Sequence, residues 1–221
     1  MKYYDLHIEI ENDAKKVIEY AKILGFSGIA VTANPPTHCD EIEIVPCILI
    51  KADNKEDMKN EIEKYRNKTE LVMVYGGNYE INRAACEDGR VDVLCSPERG
   101  RKDSGLDHIC VRSASENNVA IEINFNEVLN SKNRSQSLSF LRRNIYLCNK
   151  YNAKIITTSG AKSIWEMRSP RELASLTNLL GLDIKSAIDS VSSVPEEIIN
   201  TNREKISGKR IGNIKIVGEG E

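Results

Sequence analysis

Val91-Asp92-Val93-Leu94-Cys95, the helix-period segment Leu106 to Asn117 and then Ala120-Ile121-Glu122-Ile123-Asn124 form the stretch on which the fold turns. Two apolar runs too short for helices flank a helical segment, and a crossover of that kind joins parallel neighbours in one sheet. The almost unbroken apolar character of Val91 to Cys95 suits a strand covered on both faces. Ile155-Ile156 reads the same way.

Outward from that unit the alternation repeats. Strands are expected at Tyr3 to Ile10, Gly28 to Val31, Val45 to Ile50, Leu71 to Tyr75 and Ile155 to Thr158, and helices at Ala14 to Leu24, Lys55 to Tyr65, Glu80 to Glu87 and Ser137 to Tyr151. Pro170 opens a helix over Arg171 to Leu180 that Gly181 ends, Asp183 caps a segment to about Val191, and Pro195 begins another near Glu196 to Asn200. About seven parallel strands ringed by helices fit a (β/α) barrel, and an open doubly wound sheet gives much the same pattern, so periodicity leaves that choice open. Residues 1–204 read as a single α/β domain, and 205–221, rich in glycine and charge, as a flexible C-terminal tail. Ala33 to Glu41, with two prolines and His38, reads as a surface loop.

The chain has 221 residues, with 31 Lys and Arg against 33 Asp and Glu, a balance that excludes a binder built on a basic tail. At 40% apolar and 29% charged it is an ordinary globular composition. No apolar run reaches the roughly 18 residues of a membrane span, and Met1 to Asp5 lacks the apolar stretch of a signal peptide, so a cytoplasmic protein is expected. The six cysteines stand apart without a CxxC pair and read as reduced thiols.

Functional groups of either architecture collect in the loops after the strands. Asp5, His7 and Glu9 alternate on the first strand and are expected to share a face. A transition-metal centre needs further ligands from other strands, and the chain has three histidines, of which His38 falls in a loop and His108 at a helix start. The expectation is therefore a hydrogen-bonded polar cluster, with no bound metal. No GxSxG elbow, P-loop or GxGxxG turn occurs, and Gly76-Gly77 and Ser159-Gly160 are by themselves ordinary tight turns. Arg99, Arg101 and Lys102 cluster in one strand-end loop, while Arg134, Arg142, Arg143, Lys150, Lys162 and Arg168 are scattered through later segments. Such forks and ammonium groups suit a phosphate backbone, although Glu98 and Asp103 beside the loop offset the charge. Three Phe and one Trp argue against a base-stacking platform and leave recognition to backbone or shape contacts.

Several motifs, in order, resemble one family. They are Tyr4-Asp5-Leu6-His7, Gly76-Gly77-Asn78 with Asn82 to Glu87, Val91-Asp92-Val93-Leu94, Arg101 to His108, Glu116 to Asn124, Thr158-Ser159-Gly160-Ala161 and Arg168 to Leu173. Over about four fifths of its length the chain is similar to ribonuclease P protein component 3 of Archaea and eukaryotes. The resemblance implies a TIM-like barrel akin to the polymerase-and-histidinol-phosphatase (PHP) hydrolases with the metal site lost. Here Glu9 stands in place of the second histidine of their D-x-H-x-H start, and Ser159-Gly160-Ala161 in place of a late ligand motif.

It further implies a subunit of ribonuclease P, in which RNA removes the 5′ leader of precursor tRNA with magnesium, the protein binding no cofactor and supplying no catalytic residue. Ribonuclease P RNA, protein component 2 as direct partner, and other ribonuclease P proteins are the implied partners. Arg83, Arg99, Arg101, Lys102, Arg134, Arg142, Lys150 and Arg168 are the expected RNA-facing residues. Two alternatives are a PHP-like metal-dependent phosphoesterase and a protein-only scaffold without RNA contact.

Overall fold

The computed structural model describes residues 1–32, 39, 41–211 and 214–215. The loop expected at 33–41, His38 included, lies outside these residues apart from Cys39 and Glu41, and so does most of the segment after 211. Strands β1 (Tyr4–Ile8), β2 (Gly28–Val31) and β3 (Glu43–Ile44) form one parallel sheet; β4 (Cys47–Ile50), β5 (Leu71–Tyr75), β6 (Val93–Cys95), β7 (Ala120–Asn124) and β8 (Ile155–Thr158) form another, in that order.

Hydrogen bonds link the sheets at both margins. The run expected as one strand, Val45 to Ile50, divides at Pro46, which has no N–H to give to a ladder. On its near side Val45 N donates to Ile29 O of β2 (2.9 Å); on its far side the Pro46 carbonyl accepts from Leu71 N of β5 (3.0 Å). At the other margin Ile8 bridges in parallel to Ala161, just past β8, and Glu9 N donates to Ala161 O (2.8 Å).

Helices α1 (Ala14–Leu24), α2 (Lys55–Tyr65), α3 (Tyr79–Cys86), α4 (His108–Asn117), α5 (Phe125–Leu129), α6 (Arg134–Tyr151), α7 (Pro170–Leu179), α8 (Ile184–Asp189) and α9 (Ser193–Ile206) complete the described elements, with a 3-10 turn at Ile164–Glu166 and a short antiparallel pair, β9 (Arg210–Ile211) and β10 (Ile214–Lys215). Their starts follow the capping chemistry of the sequence. Asn54 accepts from Glu56 N and Asp57 N, Asp107 from Ile109 N and Cys110 N, and Ser169 closes a capping box with Glu172 ahead of Pro170. Three departures have local causes. Asn124 Oδ1 accepts from Asn126 N (2.9 Å) and starts α5 directly off β7, where a loop was expected. Asn133 caps α6 three residues before the expected start, and α9 continues to Ile206, into the segment read as tail.

Apolar side chains pack in two bodies. The larger lies between the strands and the surrounding helices. The second takes Tyr4, Leu6, Ala30, Val45, Leu71, Met73, Val93, Cys95, Ala120 and Ile156 from the opposite faces of the strands, and from the helices Ile198 and Ile199 of α9. The strands thus bury both faces, as parallel sheets do, and α9 packs on one end of them.

Candidate functional site

The loops after the strands meet on the face opposite α9. Beneath them lies a fully buried cluster centred on β1 and β7. His7 Nδ1 stands 2.6 Å from Glu122 Oε1, and both side chains are completely inaccessible. Thr158 Oγ1 donates to the same oxygen (2.6 Å); Ser96 N (3.1 Å), Ser96 Oγ (3.4 Å) and Asn124 Nδ2 (3.4 Å) donate to Oε2. Burial is the largest influence at His7 and works against a charged ring, but Glu122, Cys95 and Glu9 together outweigh it and hold the imidazole well above its ordinary pKa. At Glu122 burial likewise opposes charge, and His7 keeps the carboxyl below its ordinary range. The shifts favour an imidazolium beside a carboxylate, a costly arrangement inside a protein, and while Glu122 has its donors, His7 Nε2 is buried with no hydrogen-bond partner.

Glu9 lies 3.5 Å from His7 Nε2 and accepts from Lys51 Nζ (3.0 Å); the nearby His7 ring chiefly, then Lys51, bring it to about 2 against the opposing effect of burial. Asp5 departs from the expectation of a shared face. The pairing of β1 with β2 slips by one residue between Asp5 and Ile8, so strict alternation does not run through the strand. The Asp5 carboxylate accepts from Ser159 N (3.1 Å) and His7 N (3.4 Å), and burial raises it to about 6. Gly160 makes the approach of these strand ends possible: its φ is +58°, and a Cβ there would fall on the Asn124 side chain.

Donor atoms of His7, Cys95 and Glu122 lie within 4.8 Å of one another, close enough to share an ion. Their chemistry is mixed: Nδ1 and both carboxylate oxygens are engaged in the bonds above, and burial, then Glu122, push the Cys95 thiol to about 12, far from the thiolate a metal takes, while His7 Nε2 and Asp5 Oδ2 are buried with no hydrogen-bond partner.

Above the cluster a cleft of about 420 Å³ opens between the turn after β6 and the start of α6, lined among others by Glu98, Arg99, Arg101, Glu127, Lys132 and Lys162. The two Glu98 oxygens are buried with no hydrogen-bond partner, and burial, with Glu127 and Glu122 adding to it, raises the carboxyl to about 8. Arg99 lies over the Tyr75 ring, 4.7 Å from its centroid, with Nε 4.0 Å from Glu127. Arg101 forks onto Asp103 (2.6 and 2.9 Å) and reaches Gly77 O (3.3 Å). Gly105 holds this loop closed, its φ of +74° placing the backbone against Pro97 O, where a Cβ would clash.

The structure brings some of the expected RNA-facing residues together and leaves others apart. Lys102 is exposed next to Arg101. Arg134 opens α6 beside the cleft residues Lys132 and Asn133 and donates to Leu129 O (3.2 Å). Arg168 donates to the carbonyls of Trp165 and Met167 (2.8 Å each) and covers the Phe125 ring at 5.0 Å. Arg83 is paired with Glu87 along α3 (2.8 Å), and Arg142 is exposed midway down α6. Lys150, beside the Tyr151 ring, lies about 24 Å along the helix from Arg134 at 1.5 Å per residue. Lys51 and Trp165 were missed by the sequence reading. Each sits just past a strand, at β4 and β8, where the rule of strand-end loops could have found them.

The family profile described as RNase P subunit p30 matches residues 2–207. The chain belongs to that family. Relatives called ribonuclease P protein component 3 include those of Methanococcoides burtonii, 38% identical with 91% of this chain and 88% of that protein covered, and Methanosarcina barkeri, 34% identical with 100% and 98% covered. Among solved structures, a chain in the cryo-EM structure of archaeal ribonuclease P with mature tRNA superposes with a TM-score of 0.81 at 26% identity, covering 99% of each chain. The zinc-bound histidinol phosphate phosphatase of Lactococcus lactis shares the fold at a TM-score of 0.52 and 13% identity, with 91% of this chain and 94% of that one covered.

Proposed function

We infer that this p30-family chain is a protein subunit of ribonuclease P, supporting the catalytic RNA in removing the 5′ leader of precursor tRNA. The observation that carries it is the superposition, end to end, on a chain of archaeal ribonuclease P with tRNA. The enzyme is the endoribonuclease complex, and its partners are ribonuclease P RNA, the other protein subunits and tRNA.

Finer points complete the reading. Counting 43–50 as one strand and joining the sheets through Val45 and Ala161 gives a closed, seven-stranded PHP-like barrel. The chain contributes no catalytic residue and holds no metal; the engagement of His7 Nδ1 and of both Glu122 oxygens supports this, and magnesium acts on the RNA. Protein component 2 is the direct partner. The cations on the cleft face offset phosphate repulsion as the RNA compacts. Among the described residues no helix is long and apolar enough to cross a membrane, and the cytoplasm is the proposed location.

The test is cleavage of precursor tRNA by reconstituted ribonuclease P RNA at low magnesium with component 2, with and without this chain. A large rate gain is expected only with both proteins, and Arg101→Glu with Lys102→Glu reduces it. No gain, with turnover of a simple phosphate ester by the chain alone, overturns the reading.

A further inference from the structure

Trp165 is the chain's one tryptophan, and its side chain is 76% exposed. An exposed indole is no surprise on a frayed loop, but this backbone is fixed. Trp165 sits in the 3-10 turn after β8, whose Glu166 carboxylate accepts from Lys162 N (2.8 Å), Asn126 Nδ2 (2.9 Å) and Asn130 Nδ2 (3.1 Å). Arg168 ties the Trp165 carbonyl from the other side. Asn126 and Asn130 also line the cleft, so the turn is fastened to the cleft wall. A ring presented on a stiff support loses little conformational freedom when something stacks on it.

The neighbourhood indicates what that is. Lys162 precedes the indole by three residues and Arg168 follows by three, while the adjacent Ile164 packs into the core. The exposed Ile184 lines a separate groove among α1, α7 and α8 with Leu24, Ser169 and Pro170, and neither Trp165 nor the exposed Ile23 of α1 is part of its lining. A protein partner prefers an apolar patch about its aromatic anchor. A lone ring between two cations, on the face that carries Arg99 and Arg101, is matched instead to a base whose flanking phosphates meet the cations.

We propose that Trp165 stacks on an unpaired base of ribonuclease P RNA, with Lys162 and Arg168 receiving the phosphates beside it. The proposal rests on the subunit reading above. Composition speaks against a platform of several aromatics, but a single stacking point needs only one ring in the right place.

The experiment uses the full chain with 5-hydroxytryptophan in place of tryptophan, first alone and then with component 2 added, so that selectively excited emission reports position 165. Emission is expected to be quenched on adding ribonuclease P RNA and unchanged on adding component 2 or precursor tRNA. Trp165→Ala lowers RNA affinity about 5- to 150-fold, the loss of one base–aromatic stack, Trp165→Phe restores most of it, and neither shifts the melting temperature. Unchanged emission while fluorescently labelled RNA binds overturns the stack and leaves the subunit reading standing. A change on component 2 or precursor tRNA alone makes the ring a contact for that partner and overturns it too. Absence of RNA binding by the wild-type complex overturns both.

Discussion

The core that the strands share with α9 is built on opposite principles at its two ends. Toward α9 it is filled by Tyr4, Leu71, Met73, Val93 and Ile156 with Ile198 and Ile199 closing over them, and its stability is that of close-packed apolar atoms. Toward the strand-end loops it holds His7, Glu122, Asp5 and Glu98, four ionisable groups out of water, of which Glu122 and Asp5 are held by specific donors while both Glu98 oxygens have no hydrogen-bond partner. The apolar end tolerates any filling of the right volume. The polar end demands particular partners, and its loops inherit that fixed geometry for the cations above.

Breaking the polar end should produce the largest effect. His7→Ala strands the buried Glu122 carboxylate and is expected to cost about 3–5 kcal/mol in chemical denaturation. His7→Leu combined with Glu122→Met makes this end resemble the other and should recover much of the loss; a double variant no better than the single would show that the ends do not differ in this way.

Next in size is the response to pH. The raised His7 ring contributes stability that is full below its ordinary 6.5 and is lost as pH rises through its folded value. Asp5, between its ordinary 3.8 and about 6, and Glu98, between 4.5 and about 8, lose stability over the same upward direction because the folded state holds their protons more tightly. Glu9 and Glu122, both lowered, lose theirs only as pH falls below about 4.5. The melting temperature should therefore decline from about pH 5 to pH 9. Glu98→Gln should flatten that decline, and a melting temperature that rises over the range would refute the picture.

The smallest effect separates cations by position. Arg134→Ala, at the cleft end of α6, should weaken RNA binding by about 1 kcal/mol or less and shallow its salt dependence, whereas Lys150→Ala at the far end should leave both unchanged. Equal losses, in filter binding across salt concentrations, would mean that the RNA follows the whole helix.

What could be read in the sequence follows the range of the forces involved. Strands β2, β5, β7 and β8 and helices α1 and α2 fall where their apolar spacing and caps put them, because those signals are local. Pro46 was visible in the sequence, but that the chain changes sheets there depends on which neighbours lie on either side. The closing role of Ile198 and Ile199 is hidden for the same reason, as is the partnership of His7 with Glu122, which are 115 residues apart. Family resemblance grouped Asp5, His7 and Glu122 as the place where a weak metal site could persist, without their hydrogen bonds; the one-residue slip in β1 that separates the contacts of Asp5 and His7 has no local signature. The cations were countable from composition, while their division between two ends of a helix needed the fold.

The bond from Asn202 Nδ2 to Glu70 O (2.8 Å), with Arg203 reaching both Glu70 and Glu43 (2.7 Å each), spans more than half the chain. A nascent chain emerging from the ribosome can pair its early strands, yet their inward apolar faces stay uncovered until α9 arrives. Synthesis therefore leaves a long interval in which Leu71, Met73 and Val93 are exposed to other chains, and the final helix sets the moment at which that exposure ends.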